Sequence, residues 1–140
     1  MRLIKLSTKD VDFKDEDALE TFFGKTIGDR TPPGLFRFRS QIAKDGIEPG
    51  ETILFSFQNR LRYVTKCKEG VMENPDKSDG GYTHCLVIDL PVREADSPLE
   101  ELEEKLQNAG FDKSLKGQGW TKIPNSEQAE QIIEGLIARF

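Results

Sequence analysis

The sequence has only two cysteines, Cys67 and Cys85, one histidine, His84, and one tryptophan, Trp120. Two thiols 18 positions apart and one imidazole cannot complete a tetrahedral zinc site without carboxylates brought in from a distance, so no metal is expected. Both cysteines lie in strand-like runs, where a free buried thiol is the plain reading. No apolar run approaches the ~18 residues that a membrane span needs. Met1–Asp10 carries no apolar stretch of the secretory kind, which makes the cytoplasm the expected location and a membrane partner unexpected. Also missing are a Gly-Xaa-Ser-Xaa-Gly elbow, a phosphate-cradling Gly-Lys-Ser/Thr loop and a His-Glu-Xaa-Xaa-His helix. His84 and Cys85 are neighbours on a strand and face opposite sides, so they cannot act as base and nucleophile together. No catalytic residue is nominated, no cofactor is expected, and an enzyme is not the expected class.

The 140 residues suit one domain spanning 1–140. The chain is 36% hydrophobic and 32% charged, and its nine Phe, two Tyr and one Trp are more than a disordered chain carries. The net charge of −5 excludes a uniformly basic nucleic-acid coat and a polybasic membrane binder. The charge is unevenly placed. Positions 24–68 hold nine basic and four acidic residues, a balance of +5, whereas the remainder holds eleven basic and twenty-one acidic, a balance of −10. A basic working face is compatible with that asymmetry. So is a sheet whose Lys and Arg are simply its solvated outer residues.

Arg2–Ser7 alternates in the manner of a short strand. Asp10–Glu20 leads into a helix with Ala18, Leu19, Phe22 and Phe23 on one side, closed by Gly24. Thr31-Pro32-Pro33-Gly34 predicts a turn, followed by a strand over Leu35–Arg39, and Glu48-Pro49-Gly50 predicts a second turn. Thr52–Phe57 and Leu61–Lys68 read as a hairpin joined at Gln58-Asn59-Arg60, with Ile53, Phe55 and Phe57 inward. A polar loop over Gly70–Gly81 precedes a long strand, Tyr82–Val92. Ser97 is positioned to cap a helix carrying Leu99, Leu102 and Leu106, with Glu100 closing a capping box and Gly110 ending it. Gly117–Ile123 predicts a short strand, and Asn125 and Ser126 announce a last helix with Ala129, Ile132, Ile133, Leu136, Ile137 and Phe140 inward. The order β-α-β-β-β-β-α-β-α predicts an α+β fold: a small mixed, mostly antiparallel sheet or partly open barrel flanked by about three helices.

Recognition by binding is the function this pattern supports. Phe36, Phe38, Tyr63, Tyr82, His84 and Trp120 lie in or beside strands among basic residues. Flat rings that accept a stacked base, next to cations that hold phosphates, suit a reader of single or flipped bases. Each ring has a plainer reading as core, and a buried phenol can keep its hydroxyl wet.

The layout resembles the PUA-like superfamily of small barrels, and within it the EVE-type domains. The resemblance rests on the 16-residue spacing from Gly34 to Gly50 and on Thr52–Phe57 as the hydrophobic strand. It rests also on Arg60–Gly70 with Met72-Glu73-Asn74-Pro75-Asp76 as the return strand and its loop. The run from Tyr82 through Ser97-Pro98-Leu99-Glu100 to Leu136 completes it. Thr31–Arg37 lacks the Trp and the Asn that EVE-type domains carry there. The opening Arg2–Phe23 and Gly117-Gln118-Gly119-Trp120 are similar to PUA-like domains fused to restriction endonucleases, which read modified bases while a separate nuclease cuts.

The resemblance implies a pocket strand contributing Phe36, Arg37, Phe38, Arg39 and Ser40. It implies stacking or edge contacts from Tyr63, Tyr82 and His84, with Trp120 at the rim, and phosphate contacts from Arg60, Arg62, Lys66 and Lys68. The expected function is recognition of a modified or flipped base in DNA in a restriction or defence setting, by a chain fused to or associated with a nuclease or NTPase module. RNA binding by the same fold is the first alternative. The others are a protein-interaction module using the acidic helices and a small hydrolase.

Overall fold

The computed structural model describes residues 1–38, 46–74, 82–112, 114–115 and 120–137. The expected Arg39 and Ser40 pocket positions, and the Gly117–Gly119 approach to Trp120, lie outside the described residues, as does Phe140. Within the described set the fold is α+β, with seven strands that pair mostly antiparallel and three helices.

The alternation read at Thr52–Phe57 and after it forms the hairpin of β3 (Thr52–Phe57) and β4 (Arg60–Glu73). The turn between them has Gln58 at φ 50° and Asn59 at φ 64°, both left-handed, which matches the twist of paired strands. Every residue of β3 is buried, so its Thr52, Leu54 and Ser56 face is covered as well as the Ile53, Phe55 and Phe57 face.

Contacts divide the chain into two compact units interleaved in sequence: Met1–Ser7, Ile53–Val64 and Arg93–Phe140 form the first, and Thr8–Thr52 and Thr65–Val92 the second. In the first unit, β1 (Arg2–Leu6) runs parallel to β3, with Leu3 opposite Leu54, and antiparallel to β7 (Thr121–Lys122). The first half of β4 pairs antiparallel with β6 (Arg93–Pro98). Helices α2 (Leu99–Asn108) and α3 (Glu127–Leu136) contribute Leu99, Leu102, Leu106, Ala129 and Ile133 to one buried cluster with Leu3, Leu54, Leu61 and Val64 of the strands. The acidic residues of α2 are left on its other side, as the spacing of its three leucines dictates. Ser126 caps α3 by accepting the Ala129 N–H at 3.1 Å.

The start of α2 departs from the expected capping box. Ser97 is the fifth residue of β6, opposite Leu61, and the helix begins at Leu99. The Leu99 N–H donates instead to the carbonyl of Asn59 at 2.9 Å, so a turn residue does the work of the cap.

In the second unit, α1 (Glu16–Thr21) is capped by Asp15 and continues past Gly24 as a π-helical turn over Phe22–Thr26. β2 (Leu35–Phe38) pairs antiparallel with β5 (His84–Ile88), and β5 with the second half of β4. The expected long strand Tyr82–Val92 is shortened to β5, because after Ile88 the Asp89 N–H turns to the Lys66 carbonyl and its own carbonyl accepts the Thr65 hydroxyl, and β6 begins only beyond it, at Arg93. β4 in turn extends through the first residues of the expected loop, to Glu73. Rings from three elements form the core here. Phe13 and Phe22 pack edge to face at 4.8 Å, Phe22 and Phe23 at 5.0 Å, and Phe22 reaches Phe36 at 6.3 Å.

Gly34 joins this core to β5. It has φ +92°, and a Cβ there would lie 2.2 Å from the Ile88 carbonyl oxygen, so the close approach of the backbones admits glycine alone. Its N–H donates to the Ile27 carbonyl, and its carbonyl accepts from the Ile88 N–H, both at 2.9 Å.

Candidate nucleic-acid interface

The nominated residues divide between the two units. In the second, β2 alternates buried Phe36 and Phe38 with partly exposed Leu35 and Arg37. The two Phe rings are 4% and 7% exposed and belong to the aromatic core. Pairing of Phe38 with His84 across the β2–β5 ladder stacks the imidazole on the phenyl ring, 5.8 Å apart at 16°. The Nδ1 atom of His84 shares a hydrogen bond of 2.8 Å with the Thr83 hydroxyl, and its ring stays partly exposed.

Tyr82 precedes β5 and is held from three directions. Its hydroxyl donates to the Asp10 carboxylate at 3.2 Å, its carbonyl accepts from the Asn74 amide at 3.1 Å, and the Arg37 guanidinium lies over its ring at 5.2 Å. Asp10 is fixed in turn by accepting the Asp12 N–H at 3.0 Å as the cap of a short 3₁₀ turn, Val11–Phe13. Asp12 approaches Arg30 at 3.7 Å; Arg30 also donates to the Leu35 carbonyl at 2.8 Å and lies over the Phe22 ring at 4.9 Å. Burial, and secondarily the charge of Arg37, push the Arg30 pKa down, while Asp12, Tyr82 and Asp10 oppose that shift. Asp10, Arg30, Arg37 and Tyr82 therefore form one electrostatic neighbourhood. Val11 beside them is 76% exposed.

Asp10, Asp12 and Arg30 were not nominated from sequence. Asp10 and Tyr82 are 72 positions apart, and among 25 acidic residues nothing in the one-dimensional pattern sets Asp10 apart. Lys66 and Lys68 are exposed on β4 in this same unit.

In the first unit, Tyr63 is 3% exposed, and Arg62 covers its ring at 5.9 Å. Arg60 donates from Nε to the Asp96 carboxylate at 2.6 Å and from a terminal nitrogen to the Asp96 carbonyl at 3.2 Å. Trp120 is partly exposed just before β7. A cleft of about 540 Å³ also lies in this unit, lined by Gln58, Asn59 and Arg60 of the hairpin turn, by Leu115, and by Pro98, Leu99, Glu100 and Glu103 at the start of α2. Among the described residues nominated above, only Arg60 borders it.

Neither thiol has the character of a nucleophile. Burial, reinforced by Glu51, Asp89 and Glu69, pushes Cys67 up to about 11, and burial raises Cys85 as well. Among the described residues no three His, Cys, Asp or Glu side chains converge to hold a metal.

The arrangement defines an α+β fold in which Arg37 of β2, Tyr82 just before β5 and His84 at its start are partly exposed. A solved structure shares this fold: the YTH domain of the Zygosaccharomyces rouxii MRB1 protein, in complex with N6-methyladenosine RNA. The likeness has a TM-score of 0.58 at 14% identity and covers 96% of this chain and 86% of that one. No protein-family model matches the sequence, and no curated protein matches it.

Proposed function

We propose that the protein is a non-catalytic reader of a modified base in nucleic acid, with Tyr82 as the ring on which the base stacks. The reading is carried by the fold shared, over nearly the whole chain, with a domain seen holding N6-methyladenosine RNA. The local chemistry supports it. Tyr82 is held rigidly by Asp10 and Arg37 while remaining partly exposed, which lowers the entropic cost of stacking a base. His84 adds a second partly exposed ring on the adjoining strand, and Lys66 and Lys68 supply exposed cations for phosphates.

Single-stranded RNA carrying N6-methyladenosine is the first ligand of this reading, because the neighbour's ligand is RNA. The sequence resemblance to EVE-type domains favours a second, in which the base is flipped from modified duplex DNA and an associated nuclease cuts. The test is fluorescence polarisation at ~50 and ~200 mM salt with methylated and unmethylated RNA, and with duplex DNA carrying N6-methyladenine or 5-methylcytosine. Salt-sensitive binding that prefers one modified strand over its unmodified twin is the expected result. Equal binding of modified and unmodified strands, or none at ~50 µM, overturns the reading.

A further inference from the structure

Phe38 of β2 is buried and stacked on His84, which fixes the strand from which the preceding Arg37 side chain departs. The Arg37 guanidinium ends over the Tyr82 ring, 5.2 Å from its centroid. A base that stacks on that face must either expel the guanidinium or slip beneath it. The two members of the pair are held unequally. The Tyr82 hydroxyl donates to Asp10 at 3.2 Å, and its carbonyl accepts from the side chain of buried Asn74 at 3.1 Å. Arg37 is half-exposed on a long stem and has a like charge near it, Arg30, whose pKa is pushed down by burial and then by Arg37. A half-exposed cation–π contact biases an equilibrium only about two- to fivefold. The pair therefore opens at Arg37 and leaves the ring in place. The movement needed is small. A base between two plates takes two van der Waals gaps of ~3.5–4 Å, about 7–8 Å in all, so the guanidinium lifts by about 2–3 Å from its present 5.2 Å. Side-chain torsions supply that shift while the β2–β5 ladder stays intact.

We propose that Arg37 and Tyr82 are the two plates of a sandwich, closed on each other in the free protein, and that the modified base binds between the guanidinium and the phenol. The proposal rests on the reading of Tyr82 as the stacking ring and adds the second plate. A planar guanidinium stacks on a base and an ammonium does not, so the role belongs to arginine rather than to positive charge alone. A phosphate is the poorer partner for Arg37 here. Asp10 lies at the tip of the ring and Asp12 beside Arg30, and both carboxylates repel a second anion brought among them.

The test compares the parent with Arg37→Lys and Arg37→Gln in polarisation titrations. The probes are single-stranded RNA carrying N6-methyladenosine and duplex DNA carrying N6-methyladenine or 5-methylcytosine, each beside its unmodified twin. Arg37→Lys should weaken the strand that the parent prefers about five- to tenfold, with the slope of log affinity against log salt unchanged, because the charge is kept and the plate is lost. Arg37→Gln should weaken it at least as much. A lysine variant within about twofold of the parent, with a glutamine variant whose slope falls by about 1, makes Arg37 a phosphate contact and overturns the sandwich. Both variants within about twofold leave Arg37 as a mere backing of the ring, which overturns it as well. A parent that discriminates no modified strand from its twin removes the stacking reading and the sandwich together, so the parent alone tells the two failures apart. Circular dichroism of both variants should match the parent. NMR of the parent gives a second readout that needs no variant. The Arg37 Nε–H, shielded by the Tyr82 ring in the free protein, should stay shielded when the preferred strand is added, because the base takes the place of the phenol beneath it. Its return to an unshielded position means that the guanidinium has been expelled, and overturns the proposal.

Discussion

The guanidinium of Arg37 lies over the ring of Tyr82, 5.2 Å from its centroid, while the Tyr82 hydroxyl donates to Asp10 at 3.2 Å. One residue is thus clamped by a cation on its face and an anion at its tip. The two contacts fix both the tilt and the rotation of the ring, which a free surface tyrosine lacks.

The first prediction separates the ring from its hydroxyl. Tyr82→Phe keeps the stacking face and removes the bond to Asp10, at a stability cost of about 0.5–1.5 kcal/mol and with a small loss of ligand binding. Tyr82→Ala removes the face and should weaken binding of a preferred modified strand by about 1–3 kcal/mol. Polarisation titrations of both variants, beside urea melts, distinguish these outcomes. Equal binding by the parent and Tyr82→Ala would falsify the stacking role.

Two glycines test the backbone argument. Gly34→Ala places a methyl 2.2 Å from the Ile88 carbonyl at φ +92° and should destabilise by more than ~2 kcal/mol. Gly24, in the π-helical turn, has no atom within 4 Å of where a Cβ would sit. Gly24→Ala should therefore be neutral or stabilising by up to about 1 kcal/mol, from lost freedom in the unfolded chain. Urea midpoints with unchanged slopes would report both values.

The amphipathic elements could be read from the sequence because single-chain patterns set them. Leu99, Leu102 and Leu106 at helical spacing, and Ile53, Phe55 and Phe57 at strand spacing, each define a face before any partner is known. β6 could not be read this way. Arg93–Pro98 carries three charges, a serine and a proline, and is a strand because β4 presents a pairing edge to it. The continuation of the first helix through Gly24 likewise depends on Phe22 and Phe23 finding Phe13, a tertiary contact that outweighs the poor helix propensity of glycine. At the candidate site Arg37 and Tyr82 were visible as types. The joining of Tyr82 to Asp10 and of Asp12 to Arg30 needs the fold, since loop closure over tens of residues leaves no periodic trace.

Cys67 gives a pH prediction. Its folded pKa of about 11 is above the ordinary 9.0, so the folded state holds the proton more tightly than the unfolded chain. The associated stability is fully present below pH 9 and is lost as pH rises toward 11. Thiolate absorbance near ~240 nm should be absent from the folded protein at pH 9 and grow only nearer pH 11. At pH 8 a thiol reagent should label Cys67 at the rate of opening of the fold, and readily in urea. Rapid labelling of the native protein at both cysteines would contradict the burial assigned to them.

The last prediction concerns which cations hold phosphates. Arg60 is locked to Asp96 through two of its nitrogens, so binding a phosphate there requires exchanging one charged partner for another. Lys66 and Lys68 are exposed on β4, and substitution there disturbs no buried group. Lys66→Gln with Lys68→Gln should leave stability within about 0.5 kcal/mol of the parent and lower the slope of log affinity against log salt by about 1 to 2. Arg60→Gln should change that slope by much less, and cost no more than about 1 kcal/mol of stability from its exposed ion pair. The measurement is a salt series of polarisation titrations with the preferred strand. A slope that falls for Arg60→Gln and stays fixed for the lysine pair would move the phosphate path from the second half of β4 to its first residue.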